Sequence, residues 1–223
     1  MKTLSEIGIK FGTWKSPLLH NYLDFYESAI AHLRFEPIKI LEIGLAHGAS
    51  LGMLKEYFEN AQIHGIDKRK PANLFDCNFH QINLDNSSLL VDIANKKWDI
   101  VIDDASHTMK HQQTVFDIFW PHVNKNGFFI LEDLCTSFTS GPKSHNPNND
   151  VTTYTMIEAL RDKKDFESLY ISKESFNSHL EQVNEVQIFI DDVLHDNGKR
   201  TSKKAIDYPL SINHSITSVI SKK

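Results

Sequence analysis

Cysteine is scarce in this sequence, which has only Cys77 and Cys135 among its 223 residues. Two cysteines are too few for a disulfide framework, and they do not form the Cys-x-x-Cys motif that commonly holds zinc. This usage fits a reducing compartment. We interpret both residues as small hydrophobic side chains of the core.

Long apolar runs and long basic runs are also missing. The opening MKTLSEIGIKFGTWK lacks the apolar segment of a signal peptide, and no window approaches the roughly 20 apolar residues that span a bilayer. The 24 Lys and Arg are interspersed among 29 Asp and Glu, so no basic stripe is present to bind a phosphate backbone. The sequence therefore predicts a cytoplasmic protein with no membrane span and no nucleic-acid partner, and it leaves a homo-oligomer open.

The chain has about the length of one domain, because roughly 150 residues per domain is the usual expectation. It contains no repeat of fixed period, which excludes solenoids and propellers. We predict a single domain over residues 1–223. Within it, residues 1–36 form an N-terminal helical segment, residues 37–138 a cofactor and metal core, and residues 139–223 a loop and the C-terminal part.

Helical and extended patterns alternate along the sequence. Ser16 and Pro17 supply an N-cap and a first-turn proline for an amphipathic helix, whose apolar residues are spaced between positions 18 and 33. Short apolar runs follow, separated by helical spacing, at residues 38–43, 62–67, 79–84, 98–104 and 127–131. This alternation predicts an α/β fold with a doubly wound, mostly parallel, Rossmann-like sheet. Such sheets bind ligands at the carboxyl ends of their strands.

The part of the chain after the fifth strand is less regular. Residues 139–150 are rich in Gly, Pro, Asn and Ser, which predicts a long loop. This loop is either a mobile lid beside the strand ends or a plain surface connection. Beyond it we expect a helix near residues 153–160 and an extended stretch over 183–194.

A glycine-containing turn, GLAHG at residues 44–48, follows the first strand. Glycine lets the backbone approach a ligand and exposes helix N–H groups to it, although ordinary strand-to-helix turns use glycine as well. Asp67 ends the second strand, where an acid in this architecture accepts hydrogen bonds from a ribose diol. Together these features suggest an adenosine-type cofactor. The Glu-x-Gly-x-x-x-Gly-x-Ser spacing that begins at Glu42 disfavours a dinucleotide.

The segments LEIGLAHGAS and HGID resemble the first two motifs of class I S-adenosylmethionine (SAM) dependent methyltransferases. The resemblance implies that the glycine turn borders the amino-acid part of SAM and that Asp67 holds the ribose. Asp85 matches the position that contacts adenine, although it could instead cap the helix that begins at Asn86 or Ser87. With Asp103 added in a supporting role, the implied cofactor residues are Glu42, Gly44, Gly48, Ser50, Asp67, Asp85 and Asp103.

Acidic residues and a histidine follow the fourth and fifth predicted strands, in DDASH (residues 103–107) and ED (residues 132–133). Parallel strands bring these carboxylates to one edge, where they repel each other unless a positive charge lies between them. A hard divalent cation such as Mg²⁺ meets that need better than zinc, because the pattern supplies oxygen ligands. The alternative is that some of these acids cap helices or pair with Lys110 or Lys143.

The combination of IDDASH and EDLCTSF resembles the metal-dependent sugar O-methyltransferases of macrolide antibiotic biosynthesis and their relatives in bacterial surface-polysaccharide clusters. The resemblance covers about residues 8–138. It implies that Asp104, Glu132 and Asp133 ligate Mg²⁺. It also implies that His107 is the catalytic general base.

The opening FGTWKSPLLHNYLDFYE also resembles the N-terminal segment of that family, except that Trp14 stands where an acid commonly follows Gly-Thr. Lys15, His20 and Tyr22 are candidates for the pocket, with a helix cap and a core-facing helix surface as the alternative. Among the other histidines, we interpret His111 and His122 as helix-surface and helix-end residues rather than ligands. We leave the role of His47, which lies inside the glycine-containing turn, open.

The resemblance implies a SAM-dependent, Mg²⁺-assisted O-methyltransferase acting on a sugar hydroxyl, on a nucleotide sugar, a polysaccharide or an antibiotic sugar. Two alternatives stay open: another small-molecule vicinal diol as the acceptor, or a non-catalytic cofactor-binding module in a sugar-modifying assembly. An iron-dependent hydroxylase is disfavoured because its two-His-one-carboxylate triad is not apparent.

Overall fold

The computed structural model describes residues 1–139, 145–191 and 210–223, and the backbone of two short strands between 191 and 210. The strands, in chain order, are β1 (Lys39–Ile43), β2 (Gln62–Asp67), β3 (Asn78–Gln81), β4 (Trp98–Asp103), β5 (Val123–Leu131), β6 (Val183–Ile190), β7 (Val193–Asp196), β8 (Lys199–Lys204) and β9 (Ile216–Lys222). Seven of them form one sheet in the order β3-β2-β1-β4-β5-β9-β6, while β7 and β8 pair separately. The first five run parallel, and β9 is antiparallel to both β5 and β6. The predicted doubly wound, mostly parallel sheet is confirmed.

The helices cover both faces of this sheet. They are α1 (Leu4–Phe11), α2 (Leu23–Ile30), α3 (Ala49–Tyr57), α4 (Ser87–Ala94), α5 (Met109–Phe119), α6 (Thr153–Asp162) and α7 (Lys173–Gln182). Alternate residues of β1 point to opposite faces, with Leu41 in one hydrophobic cluster and Ile40 in the other. This burial on both faces explains why the strands are nearly continuous apolar runs. Across the described ranges, no helix has both the length and the apolar character needed to cross a bilayer.

The N-terminal helical segment is confirmed, but the helix predicted from Ser16 and Pro17 onward begins only at Leu23, as α2. Ser16 and Pro17 lie in a turn over residues 13–22, and the helical structure is split between α1 before it and α2 after it. Two backbone bonds close the turn, from His20 N to the Trp14 carbonyl at 2.9 Å and from Tyr22 N to the Lys15 carbonyl at 2.8 Å. These bonds replace the helical ones that the spacing predicted.

Helix α1 was missed although its start carries a recognisable signal. Thr3 and Glu6 form a capping box, in which each side chain accepts a hydrogen bond from the other's backbone N–H. Gly8 lowers the helix propensity of this segment. Its role is packing, because a Cβ added there would lie 2.2 Å from Leu23 Cδ1 on α2.

The remaining expectations fall on different parts of the fold. Cys77 and Cys135 are both buried, as predicted. The helix expected near residues 153–160 is α6, and the extended stretch begins as β6. Residues 140–144 of the predicted loop lie outside the described residues. The choice between a lid and a surface connection therefore stays a prediction.

The stacked pair His64 and His80 makes stability depend on pH at the β2–β3 edge. The two rings stack with centroids 5.4 Å apart, and His64 Nδ1 lies 3.0 Å from His80 Nε2. Burial, and then the proximity of His80, lower the pKa of His64 to about 4. The pKa of histidine in an unfolded chain is about 6.5. Between about pH 6.5 and about pH 4 the unfolded chain therefore binds a proton at His64 that the folded protein does not, and this favours unfolding. We therefore expect stability that is full above about pH 6.5 and is lost as pH falls toward 4.

The variant His64→Gln is expected to show a smaller loss of melting temperature between pH 7.5 and pH 5 than the wild type. Thermal unfolding at the two pH values measures this difference. Equal losses in the two proteins would show that His64 does not carry the pH dependence.

Candidate active site

Two adjoining cavities lie at the carboxyl ends of the parallel strands. The larger, of about 550 Å³, is bounded by the N-terminal turn, by the loop after β1 and by the residues that follow β4 and β5. The smaller, of about 300 Å³, lies toward β2 and β3. The two share Gly44, Asp67 and Ala105 in their walls. This is the sheet edge at which the sequence predicted ligand binding.

The two glycines of the predicted cofactor turn have different surroundings. Both have left-handed backbones, with φ of 88° at Gly44 and 87° at Gly48. A Cβ would lie 2.1 Å from the Asp104 carbonyl oxygen in the first case, and 2.1 Å from the Asn73 carbonyl oxygen in the second. Chain packing alone therefore requires both glycines. Gly44 lines both cavities, whereas Gly48 lines neither.

The acids assigned to the cofactor organise the loop after β1. Asp67 accepts hydrogen bonds from Leu45 N and Arg69 N, each at 2.9 Å, and its side chain lines both cavities. Glu42 is fully buried and accepts a 2.7 Å hydrogen bond from Ser50 Oγ. Ser50 lines the larger cavity, but Glu42 lies behind its wall. The predicted residues are thus brought together, with Asp67 directly at the cavities and Glu42 one layer deeper.

Asp85 lies on the wall of the smaller cavity and does not cap α4. The N-cap is Asn86, whose side chain accepts from Leu89 N. Asp85 instead pairs with Lys110 and with His111 Nε2, the latter at 3.2 Å, and hydrogen bonds from these two groups lower its pKa. His111 lies on α5 and also lines the smaller cavity, a position that its interpretation as a helix-surface residue did not include.

Lys15 supplies a positive charge among the clustered carboxylates. Its side chain is only 4% exposed, and Nζ lies 2.7 Å from Glu132 Oε1 and 3.3 Å from Glu42 Oε1 and is also in direct contact with Asp104. Burial alone would lower the pKa of Lys15, but the three carboxylates raise it well above its usual value. Burial, followed by the nearby Asp104, raises the pKa of Glu132. Lys15 was only a pocket candidate in the sequence, and its partners were missed.

A second cluster lies nearer the cavity mouth. Asp104, His107 and Asp133 each present a ligand atom, and these atoms lie within 4.8 Å of one another, so they could hold a metal ion. His107 Nε2 is 3.4 Å from Asp133 Oδ2 and 3.8 Å from Asp104 Oδ1. Glu132, the third predicted metal ligand, is not in this group, and its carboxylate contacts Lys15.

The N-terminal turn holds one side of Asp133. Tyr22 donates a 2.8 Å hydrogen bond to Asp133 Oδ1, and His20 Nδ1 lies 3.9 Å from the same oxygen. Burial raises the pKa of Asp133, but His107, His20 and the Tyr22 hydroxyl together hold it below its usual range. His107 and Asp133 both have left-handed backbones, with φ of 54° and 52°. Such strained positions persist only where the surrounding structure fixes them.

Asp103 lies behind the site and lines neither cavity. Its Oδ1 accepts a 3.3 Å hydrogen bond from Ala105 N, and burial raises its pKa to about 7. Asp103 therefore shapes the turn that presents Asp104, which fits the supporting role that the sequence gave it.

The sequence analysis did not single out His145, which lies near His107. Its backbone oxygen accepts a hydrogen bond from Met109 N at 2.9 Å, and burial, followed by the nearby His107, lowers the pKa of its side chain.

The comparisons with known proteins agree with this geometry. No protein-family model matches the chain. Its sequence is 34% identical over 143 residues to the 8-demethyl-8-(2-methoxy-alpha-L-rhamnosyl)-tetracenomycin-C 3'-O-methyltransferase of Streptomyces olivaceus. The aligned region covers 59% of this chain and 35% of that protein. It is 31% identical over 149 residues to the mycinamicin VI 2''-O-methyltransferase of Micromonospora griseorubida, covering 62% of this chain and 37% of the relative. The match thus spans little more than a third of these relatives.

Solved structures show the same architecture. The MycE methyltransferase from the mycinamycin biosynthetic pathway, in complex with Mg and SAH (S-adenosylhomocysteine), superposes with a TM-score of 0.72 at 21% identity, over 99% of this chain and 55% of that one. A second MycE complex, which also contains mycinamycin VI, gives 0.71 at 22% identity, over 99% and 54%. The chain therefore has the fold of the MycE methyltransferase. Its sequence is similar to sugar O-methyltransferases of antibiotic biosynthesis, the group whose motifs it resembles.

Proposed function

We propose that this protein is a SAM-dependent, Mg²⁺-assisted O-methyltransferase that acts on a sugar hydroxyl. The observation that supports this most is the junction of the two cavities at Gly44, Asp67 and Ala105, beside the Asp104–His107–Asp133 cluster. A methyl donor and a hydroxyl acceptor can meet there. The relatives named above carry out sugar O-methylation, according to their names.

The cofactor fits the smaller cavity and the shared wall. Asp67 would accept from the ribose hydroxyls, and Asp85 with His111 would border the adenine. The loop after β1, with Gly44 and Ser50, would border the amino-acid part in the larger cavity. Glu42 would act indirectly, because it holds Ser50 from behind.

The residues present also fit a hard divalent cation. Asp104 and Asp133 offer carboxylate oxygens, and His107 Nε2 lies 3.8 Å from Asp104 Oδ1 and 3.4 Å from Asp133 Oδ2. A bound Mg²⁺ would supply Lewis acidity that stabilises the developing alkoxide of the acceptor. Glu132 stays a proposed ligand, although Lys15 holds its carboxylate here.

The proton of the acceptor hydroxyl would pass to His107 Nε2. Asp133 Oδ2, 3.4 Å away, would stabilise the imidazolium that forms, and Tyr22 and His20 would keep that carboxylate oriented. Bound SAM would supply an electrophilic methyl group to the deprotonated oxygen, with the neutral thioether SAH as the leaving group. Much of the acceleration would come from holding the two reactants in attack geometry.

Calorimetric titration with SAM and SAH, with and without Mg²⁺, tests this proposal first. We expect binding of both ligands, and turnover of pyranoside acceptors that EDTA abolishes and Mg²⁺ restores. Failure to bind either ligand would contradict the proposal as a whole. Full activity in EDTA would contradict only its metal component.

Several expectations stay predictions beside this one. They are the single domain, the cytoplasmic location, the lack of a nucleic-acid partner and the homo-oligomer that the sequence left open. Another vicinal diol as the acceptor would give the same cofactor binding with turnover of a catechol in place of sugars. A non-catalytic module would bind SAH but turn over neither acceptor.

A further inference from the structure

Trp14 is the most exposed large aromatic side chain in the described structure. It is 70% exposed, whereas the other two tryptophans of the sequence, Trp98 and Trp120, are completely buried. Leaving an indole in water forgoes the stabilisation that burying its apolar surface would give. Trp14 is also one of the residues that line the larger cavity.

The backbone of Trp14 is held in place on both sides. Lys15, the next residue, is buried against Glu132 and Asp104. The backbone N–H of His20 donates a 2.9 Å hydrogen bond to the Trp14 carbonyl. The Nδ1 atom of the His20 ring lies 3.9 Å from Asp133 Oδ1. The indole is thus an exposed side chain on an anchored turn, and two residues of that turn, Lys15 and His20, lie beside the acids of the site.

The two cavities divide the ligands between them. Adenine and ribose are accounted for by the smaller cavity and by Asp67, on the far side of Gly44 from the N-terminal turn. The amino-acid part of SAM is charged and polar, and the loop after β1 faces it with backbone and Ser50. The part of the larger cavity beside Trp14 and the Asp104–His107–Asp133 cluster is left for the acceptor.

We propose that Trp14 is the stacking platform for the acceptor's pyranose ring and so a specificity-determining residue of this site. This inference rests on the proposed function. A pyranose has a face of C–H groups that can pack on an indole and remove apolar surface from water, while its hydroxyls at the ring edge remain free to reach the acids. An acid at this position, as in the resembling family, would offer no such face.

The kinetic test compares the wild type with Trp14→Ala and Trp14→Phe. A panel of methyl pyranosides, including methyl α-L-rhamnopyranoside, is screened for SAM-dependent release of SAH, and the best acceptor is used for all three proteins. For Trp14→Ala we expect KM for the sugar to rise about fivefold to fiftyfold. We expect kcat and the Kd for SAH to stay within about twofold, and the Phe variant to recover most of the loss.

The outcomes separate this inference from the proposed function. If the wild type methylates the pyranoside and Trp14→Ala has the same KM for that sugar, the role of Trp14 is overturned and the proposed function stands. A weaker Kd for SAH in that variant, with KM unchanged, assigns Trp14 to the cofactor and also overturns the inference. A wild type that binds SAH but methylates no pyranoside contradicts both.

Tryptophan fluorescence gives a second measurement without turnover. Because Trp98 and Trp120 are buried, acrylamide quenching reports mainly on Trp14. We expect the selected pyranoside, in the presence of SAH and Mg²⁺, to protect Trp14 from quenching, and SAH and Mg²⁺ alone to give little protection.

Light scattering tests a different role for Trp14. A lower molecular mass for Trp14→Ala than for the wild type would place Trp14 in an interface between copies of the chain and would overturn the inference.

Discussion

Replacing Lys15 with methionine is expected to destabilise the metal-free protein by about 3–5 kcal/mol. Lys15 Nζ contacts Glu42, Asp104 and Glu132. The side chains of Lys15, Glu42 and Glu132 are almost completely buried, and that of Asp104 is partly exposed. Removing the ammonium leaves these carboxylates without their shared cation in a region from which water is largely excluded. For a chain of this length that loss corresponds to a decrease in melting temperature of roughly 6–20 °C. Urea unfolding in EDTA measures it.

A matched control is present on the surface. Lys10 pairs with Glu56, but half of its side chain is exposed. Exposed pairs contribute little, so Lys10→Met should cost less than about 1 kcal/mol. We also expect Mg²⁺ to stabilise Lys15→Met more than the wild type, because a divalent cation can replace the missing positive charge. If Lys15→Met unfolds at the same urea concentration as Lys10→Met, the carboxylates do not depend on Lys15.

Replacing His107 with asparagine is expected to lower kcat by at least about 100-fold, the usual contribution of a general base. Asparagine is the appropriate substitution because the backbone φ is 54°, a conformation that asparagine adopts more readily than alanine. The Kd for SAH should not change, since His107 lies beside the acids and lines only the larger cavity. Steady-state kinetics and calorimetry on the same preparation measure both quantities.

The Mg²⁺ affinity of His107→Asn separates two roles. His107 Nε2 lies among the candidate ligand atoms, so a loss of activity could come from a lost base or from a lost ligand. An unchanged Kd for Mg²⁺ with low kcat supports the base, and a Kd at least about tenfold weaker supports a ligand. His122→Ala, remote from both cavities, serves as the control and should keep normal turnover. Near-normal turnover in His107→Asn would remove this residue from both roles.

The sheet could be predicted from sequence because its pattern is local. Each buried parallel strand is a short apolar run in the sequence. The acids at the ends of β4 and β5 come directly after two of these runs, so their positions could be predicted with the strands. Since parallel strands share one carboxyl edge, Asp104 and Asp133 had to lie near each other. The predicted helix start at Asn86 or Ser87 is confirmed by α4 for a similar reason, because Asn86 caps it locally.

The N-terminal segment could not be placed in the same way. Its apolar spacing predicted a helix through residues 18–33, but the helix begins only at Leu23. The turn over 13–22 takes the place of its first part, since that turn buries Leu19 and Tyr22 while Lys15 reaches the acids. Tertiary contacts therefore outweighed the local helical pattern. The contact between His111 and Asp85 was missed for a related reason, because the two residues meet at the smaller cavity only in the folded chain.

The sequence by itself determined the strands, the glycine turn and the set of acids at the sheet edge, because strand and turn preferences act over a few residues. Only the tertiary structure decided which charge neutralises those acids. Lys15 lies 89 residues from Asp104 and 117 residues from Glu132 along the chain. Such partners meet only when the N-terminal turn packs across the strand ends, and no local pattern specifies that packing.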